Sequence, residues 1–206
     1  MKIAFLNYYQ ASRGLETFVS ELSSGLSNKH QVLVIKGSQT TASVRDPISL
    51  LQRLFLDKDS LNVCKWTFKN FRQLKDFKPD IIISTNGGWQ ALMISIYCRL
   101  TKSKMVIAGQ SGPGWDDRWN LFCKPHAFVA LTNKQQKWAR KATPWFRHKI
   151  VTIPNGVDIE KFNSAGKKLK LKLEKPIILM VAATVPYKRV EQGIAAVSRL
   201  KQGSLL

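Results

Sequence analysis

With 206 residues, 44% of them hydrophobic and six of them tryptophan, the chain is long enough for one α/β domain with a sizeable core and too apolar for a disordered segment. Thirty-three lysines and arginines against 13 aspartates and glutamates leave a net charge of +20, a field that draws phosphates, nucleic acid or an acidic membrane face. Cys64, Cys98 and Cys123 form no close pair, which argues against a disulfide framework or a structural zinc site, and no apolar run approaches the ~18 residues of a membrane span.

The first strand is expected over Lys2–Asn7, a compact apolar run of the kind buried on both faces of a parallel sheet. Its apolar stretch, Ile3 to Leu6, is too short for a signal-peptide core, and with reduced thiols this points to a cytoplasmic protein. A loop from Tyr8 to Gly14 leads to a helix over Leu15–Ser27 whose Leu15, Phe18, Val19, Leu22 and Leu26 share one face. Val32–Ile35 reads as the second strand. Strand, glycine-bearing loop, helix, strand is how a Rossmann-like domain opens, although the Gly-x-Gly-x-x-Gly fingerprint is absent and only Gly14 occupies the turn. A glycine before a helix lets backbone amides approach a phosphate, and Arg13 beside it adds charge.

Gly37–Pro47 is polar and loop-like, and Ile48–Leu56 is apolar on most sides. Leu61–Phe77 reads as one amphipathic helix, with Val63, Trp66, Phe68, Phe71 and Leu74 packed on the sheet between lysines and arginines; the same pattern suits the surface of an anionic bilayer. A strand over Asp80–Ser84 ends in Thr85-Asn86-Gly87-Gly88, ahead of a helix over Trp89–Leu100. The next strand, Val106–Ala108, ends in the glycine-rich loop Gly109–Trp115. Loops at the carboxyl ends of an open parallel sheet line its ligand crevice, which makes Asn86, Gly87, Gln110 and Ser111, with Arg13, the candidate cleft residues.

A short helix over Asp116–Cys123, a strand over Ala127–Leu131, a helix capped by Thr132-Asn133 and a strand over Ile150–Ile153 complete six strands with helices between them. The expected fold over residues 1–162 is a doubly wound parallel sheet, Rossmann-like. His30, His126 and His148 have no carboxylate or cysteine at ligand spacing and read as structural, so no metal is expected. Residues 163–175 form a basic linker, and residues 176–206 supply one strand, Ile177–Val181, and one helix from Lys188 to Leu200. One strand and one helix cannot bury a core, so this segment is expected to open a truncated second domain.

The turn Pro154-Asn155-Gly156-Val157-Asp158 with Phe162, followed by VAATVPYKRVEQGIAAVSRL from Val181, resembles the interdomain crossing of the retaining, nucleotide-sugar-dependent glycosyltransferases of family 4, group 1. That resemblance implies the two-Rossmann-domain GT-B fold: a first domain that binds the acceptor, a second that grips the nucleotide sugar, and hexosyl transfer in the cleft between them. The nucleotide sugar is then a substrate, and no cofactor is implied. Arg13-Gly14-Leu15-Glu16 matches the family's Gly-Gly-x-Glu except at its first glycine, Lys188 keeps the place of the lysine the family carries five residues past its Gly-Arg, and Arg189 follows it. The resemblance thus implies Gly14, Lys188 and Arg189 at the donor phosphates.

The sequence departs from the family in two further places. Ala182-Ala183 stand where Gly-Arg is usual, and Gln110, which cannot act as a base, stands where many members carry histidine. The family's paired-glutamate segment falls outside the 206 residues, so the catalytic residues stay unassigned, the chain alone is expected to be inactive, and a second-domain polypeptide is a candidate partner. Family members often work at the cytoplasmic membrane face on lipid-linked acceptors, which implies a peripheral protein of cell-envelope polysaccharide synthesis, with a glycan or lipid-linked acceptor and an anionic membrane surface as partners. Two rivals are a basic nucleic-acid-binding protein and a non-catalytic subunit of a two-chain glycosyltransferase. Against the first, Trp66 and Trp138 fall on apolar helix faces and no nucleic-acid motif is present.

Overall fold

The computed structural model describes residues 1–9, 14–39, 49–163, 165–166, 177–182, 184 and 188–199. They fall into two compact units, the first comprising the described residues up to Gly156 except Ser49, and the second Ser49 with the described residues from Val157 on.

The first unit is built on a six-stranded parallel sheet: β1 (Lys2–Tyr9), β2 (Gln31–Gln39), β3 (Ile81–Ser84), β4 (Lys104–Gly109), β5 (Ala127–Ala130) and β6 (Ile150–Thr152), in the spatial order 2-1-3-4-5-6. The centre is β1, paired on both sides, with Ile3 opposite Val32 and Ile81, and Phe5 opposite Val34 and Ile83. Its residues from Ile3 to Tyr8 are all buried, which is why the sequence shows an apolar run and no alternation. Alternate β1 residues feed two cores. Ile3 and Phe5 join Val19 and Ile83 under Phe18 and Leu22 of α1 (Gly14–Ser27). Ala4 and Leu6 join the larger core with Ile82, Met105, Ile107 and Phe128. The helices over that core include α5 (Trp89–Leu100), α6 (Trp115–Phe122) and α7 (Asn133–Ala142), which contribute Ile94, Leu121 and Ala139. The doubly wound Rossmann-like sheet expected from the sequence is present.

Local chemistry sets the helix boundaries. Thr132 caps α7, its Oγ1 accepting from Gln135 N at 3.1 Å. Between β2 and β3, Leu50–Arg53 (α2) is the helical part of the apolar stretch Ile48–Leu56 among the described residues. The single amphipathic helix expected over Leu61–Phe77 is two: α3 (Lys58–Lys69), capped by Asp57, and α4 (Phe71–Phe77). They meet at Asn70, which sits at φ −87°, ψ 0° between the two helices while its Nδ2 donates to Trp66 O at 2.7 Å. The break turns Phe71 inward, where it stacks on Tyr97 at 5.4 Å, and leaves Phe68 exposed. Trp66 and Phe68 are two residues apart and cannot share a helix face.

The second unit differs in kind. Asp158 forms an Asx turn near its start, Oδ1 accepting from Glu160 N and Lys161 N at 3.0 Å each. Ile177–Ala182, expected to contain a strand, forms none. A strand needs a neighbour to take its N–H and C=O groups, and among the described residues there is none. The helix does form, as α8 (Val190–Ser198), preceded by Arg189 in left-handed geometry at φ 52°. None of this unit's described residues is buried.

Candidate functional site

The strand order reverses direction at β1 and β3, the switch point at which open α/β sheets bind ligands beyond their strand ends. A cavity of about 170 Å³ lies there, lined wholly by the first unit. Tyr9 enters from β1, Ser84 to Trp89 from the turn after β3, Gln110 and Ser111 from the loop after β4, and Asp116, Asp117 and Asn120 from α6; Phe55, Ser60 and Val63 close the remaining side. Four of the residues chosen from the sequence, Asn86, Gly87, Gln110 and Ser111, are thus brought together.

The turn after β3 is fixed from below. Gln90 Oε1, fully buried, accepts from Ser84 Oγ at 2.8 Å and Asn86 N at 2.9 Å. Asn86 Oδ1 accepts from Tyr8 N at 3.2 Å and Thr85 Oγ1 donates to Leu6 O at 2.8 Å, tying β3's end to β1. Gly88 has φ +60°, and a Cβ there would lie 2.7 Å from the Phe55 ring. Phe55 itself sits at φ 56°, with its ring 5.3 Å from that of Trp119. Indole donors hold this wall in place: Trp89 Nε1 to Phe55 O at 2.7 Å, Trp115 Nε1 to Arg53 O at 2.7 Å and Trp119 Nε1 to Gly88 O at 3.0 Å. On the far side the Gln110 and Asn155 amides pair reciprocally at 3.3 and 3.4 Å, linking the glycine-rich loop to the Pro-Asn-Gly turn.

Sequence reasoning missed the cavity's most unusual groups. Asp117 and Asn120 are 0% and 7% exposed. Gln135, on α7, donates from Nε2 to both Asp117 Oδ2 and Gly109 O at 2.7 Å and accepts from Leu131 N at 2.8 Å. A Cβ on Gly109 would fall 2.5 Å from both Gln135 Nε2 and Phe128 Cζ, so glycine is required there by crowding. Burial pushes the Asp117 carboxyl up to about 6, against the pull of the Gln135 and Asn120 side chains and the Gly112 N–H. Asp117 Oδ1 and Asn120 Oδ1 are buried without a hydrogen-bond partner. The only hint in the sequence was an acidic pair, Asp116-Asp117, in so basic a chain. Tyr9, pushed up to about 12 by burial and then by Asp59, keeps its phenol proton.

The other expected residues lie elsewhere. Gly14, at the start of α1, is exposed, and a Cβ on it would meet nothing within 4 Å. Arg13 lies outside the described residues. Lys188 and Arg189 belong to the second unit, immediately ahead of α8. Cys98 and Cys123 are buried, which pushes both thiols up to about 12 and makes them unreactive. His126 Nδ1 accepts from Met105 N at 3.1 Å, a structural role. Among the described residues no three His, Cys, Asp or Glu side chains gather into a metal-binding group.

Residues 12–161 match Glycosyltransferase Family 4. No curated protein matches the chain. Among solved structures, the fold is similar to UDP-N-acetylglucosamine 2-epimerase from Rickettsia bellii (TM-score 0.50, 12% identity, covering 74% of this chain and 44% of that one). It is equally similar to UDP-GlcNAc 2-epimerase from Neisseria meningitidis bound to UDP-GlcNAc (TM-score 0.50, 14% identity, 74% and 45%) and to the S. aureus MnaA–UDP co-structure (TM-score 0.50, 10% identity, 80% and 49%). At such identities the likeness is one of fold, and the chain spans less than half the length of each. With the family match extending over most of the sequence and the Rossmann-like lobe of the GT-B architecture in place, the chain belongs to Glycosyltransferase Family 4.

Proposed function

We propose that the chain serves hexosyl transfer from a nucleotide sugar to a hydroxyl of a glycan or lipid-linked acceptor, with retention of anomeric configuration as the family resemblance implies. The observation that carries this reading is the switch-point cavity inside a family 4 lobe. Its lining of Tyr9, Phe55 and Trp89 beside amide and carboxylate groups combines apolar ring faces with hydrogen-bonding partners, which is what a sugar presents in turn. At about 170 Å³ it is smaller than the ~300–1,000 Å³ of drug-sized sites, so it admits one ring of the acceptor and leaves the rest outside.

In the transfer, the acceptor oxygen forms a bond to the anomeric carbon on the face from which the phosphate oxygen departs, the electron pair of the broken carbon–oxygen bond leaves on the diphosphate, and the acceptor hydroxyl passes its proton to that departing oxygen. Lys188 and Arg189, ahead of the α8 amino terminus, supply positive charge for that leaving group. Gly14, with open space around it, allows close approach of a phosphate to the α1 start. The 206-residue chain by itself is read as inactive, with a second-domain polypeptide as its proposed partner.

A cationic, partly apolar surface supports peripheral attachment to an anionic membrane: Leu50, Leu51, Leu54 and Leu56 are exposed around Arg53, and Phe68 is exposed between Lys65 and Lys69. No described helix is long and apolar enough to cross a membrane. The test of the donor assignment is titration of the chain with UDP-, GDP- and ADP-sugars. Lys188→Ala with Arg189→Ala is expected to weaken the best of them at least tenfold. Unchanged affinity contradicts the assignment, and turnover by the isolated chain contradicts its inactivity.

A further inference from the structure

The cavity stands in contrast to the protein around it. The chain carries +20, yet the cavity lining contains two carboxylates, Asp116 and Asp117, and among the described residues no lysine, arginine or histidine. Asp117 is fully buried. One of its oxygens is held by Gln135 Nε2 at 2.7 Å, and the other, Oδ1, makes no hydrogen bond of full geometry, with the Asn120 side chain and the Gly112 N–H as the nearby groups that favour the ionised carboxylate. Asn120 Oδ1, three residues on and 7% exposed, is likewise unpartnered. A buried acceptor without a donor costs free energy in the empty protein, and a ligand that brings N–H or O–H groups removes that cost. A ligand that brings a carboxylate or phosphate adds a like charge with nothing in the lining to offset it.

We infer that the cavity is specific for an acceptor ring bearing only neutral or cationic groups, whose hydroxyl or amino donors are read by Asp117 and Asn120, and that it rejects uronic acids and sugar phosphates. This rests on the reading of the cavity as the acceptor site and adds the substrate class. Asp117 and Asn120 are the specificity determinants. The buried carboxylate supplies the discrimination, since an ionised acceptor cannot donate and cannot be approached by an anion. Gln135 positions it by fixing Oδ2.

The experiment titrates the 206-residue chain, at neutral pH and physiological salt, with methyl hexopyranosides of the gluco, galacto and manno series. The best of these is then compared with its C6-carboxylate and its 2-amino counterparts. The neutral and amino rings are expected to bind, and the uronate at least tenfold more weakly. Asp117→Asn keeps the shape and removes the charge, so it should narrow that ratio at least threefold. Ser111→Lys, an exposed change that places a cation on the cavity wall, should narrow it too, even if the buried variant fails to fold. A uronate that binds as tightly as the neutral ring, or a ratio that neither variant moves, overturns the inference while leaving the acceptor site standing. If no ring of any series binds, the acceptor-site reading falls and the inference falls with it.

Discussion

Ile81-Ile82-Ile83 and Ile177-Ile178-Leu179-Met180-Val181 are nearly interchangeable as sequence: short apolar runs, rich in β-branched residues, each following a proline and preceding a helix. In the first unit the run is β3, hydrogen-bonded on both sides, with Ile82 fully buried between β1 and β4. In the second it is no strand, and Leu179 and Val181 are 81% and 89% exposed. The difference lies in the neighbours. Six strands share the cost of ordering and satisfy each other's backbone groups, while the second run has no strand to pair with among the described residues.

Measurements that sharpen this contrast begin with the strands themselves. Ile82→Ala removes a fully buried side chain and is expected to cost about 2–5 kcal/mol in urea unfolding, whereas Leu179→Ala should stay within about 0.5 kcal/mol. Comparable costs would mean that the second run also lies in a core.

The Asp117 carboxyl comes next. Its folded value of about 6 lies above its ordinary 3.8, so the folded state holds the proton more tightly than the unfolded state does, and stability falls as pH rises through that window. Relative to wild type, Asp117→Asn should therefore gain on the order of 2–3 kcal/mol across that window, at about 1.4 kcal/mol per unit. A difference that does not change with pH would place Asp117 in a more polar setting than the cavity floor.

Two glycines give a smaller contrast. Gly109→Ala drives a methyl into Gln135 and Phe128 and should destabilise by about 1–3 kcal/mol, while Gly14→Ala, with open space around it, should change stability by less than about 0.5 kcal/mol. The smallest effect is at the helix caps. Thr132→Ala removes the side-chain N-cap bond of α7 and should cost about 1 kcal/mol by thermal melting, a bond that α8 lacks.

Much of the first unit was legible because burial on both faces writes apolar runs into parallel strands and because Thr132 announces a helix start, whereas the cap at Asp57, ahead of the expected start at Leu61, went unread. Trp89–Leu100 was read to the residue. The break at Asn70 was hidden: no glycine or proline marks it, and the side chain that stabilises it looks like any polar residue on a helix surface. Ile177–Val181 misled for the opposite reason, since its pattern is right and only its surroundings are wrong.

Within the site, the rule that ligands sit beyond strand ends was enough to choose Asn86, Gly87, Gln110 and Ser111. It gave no access to Asp117, Asn120 and Gln135, which meet only because α6 and α7 pack side by side. A buried aspartate also runs against the expectation that acids stay exposed.

The most direct test of the acceptor-site account is to map a bound neutral glycoside on the chain by backbone amide chemical shifts. The account predicts saturable shifts concentrated at Gly87, Gly88, Gln110, Ser111 and Asn120, around the cavity at the carboxyl ends of β1, β3 and β4. Shifts that instead centre on the wider basic hollow at the opposite end of the sheet, around Lys2, Lys29 and Lys78, would contradict it.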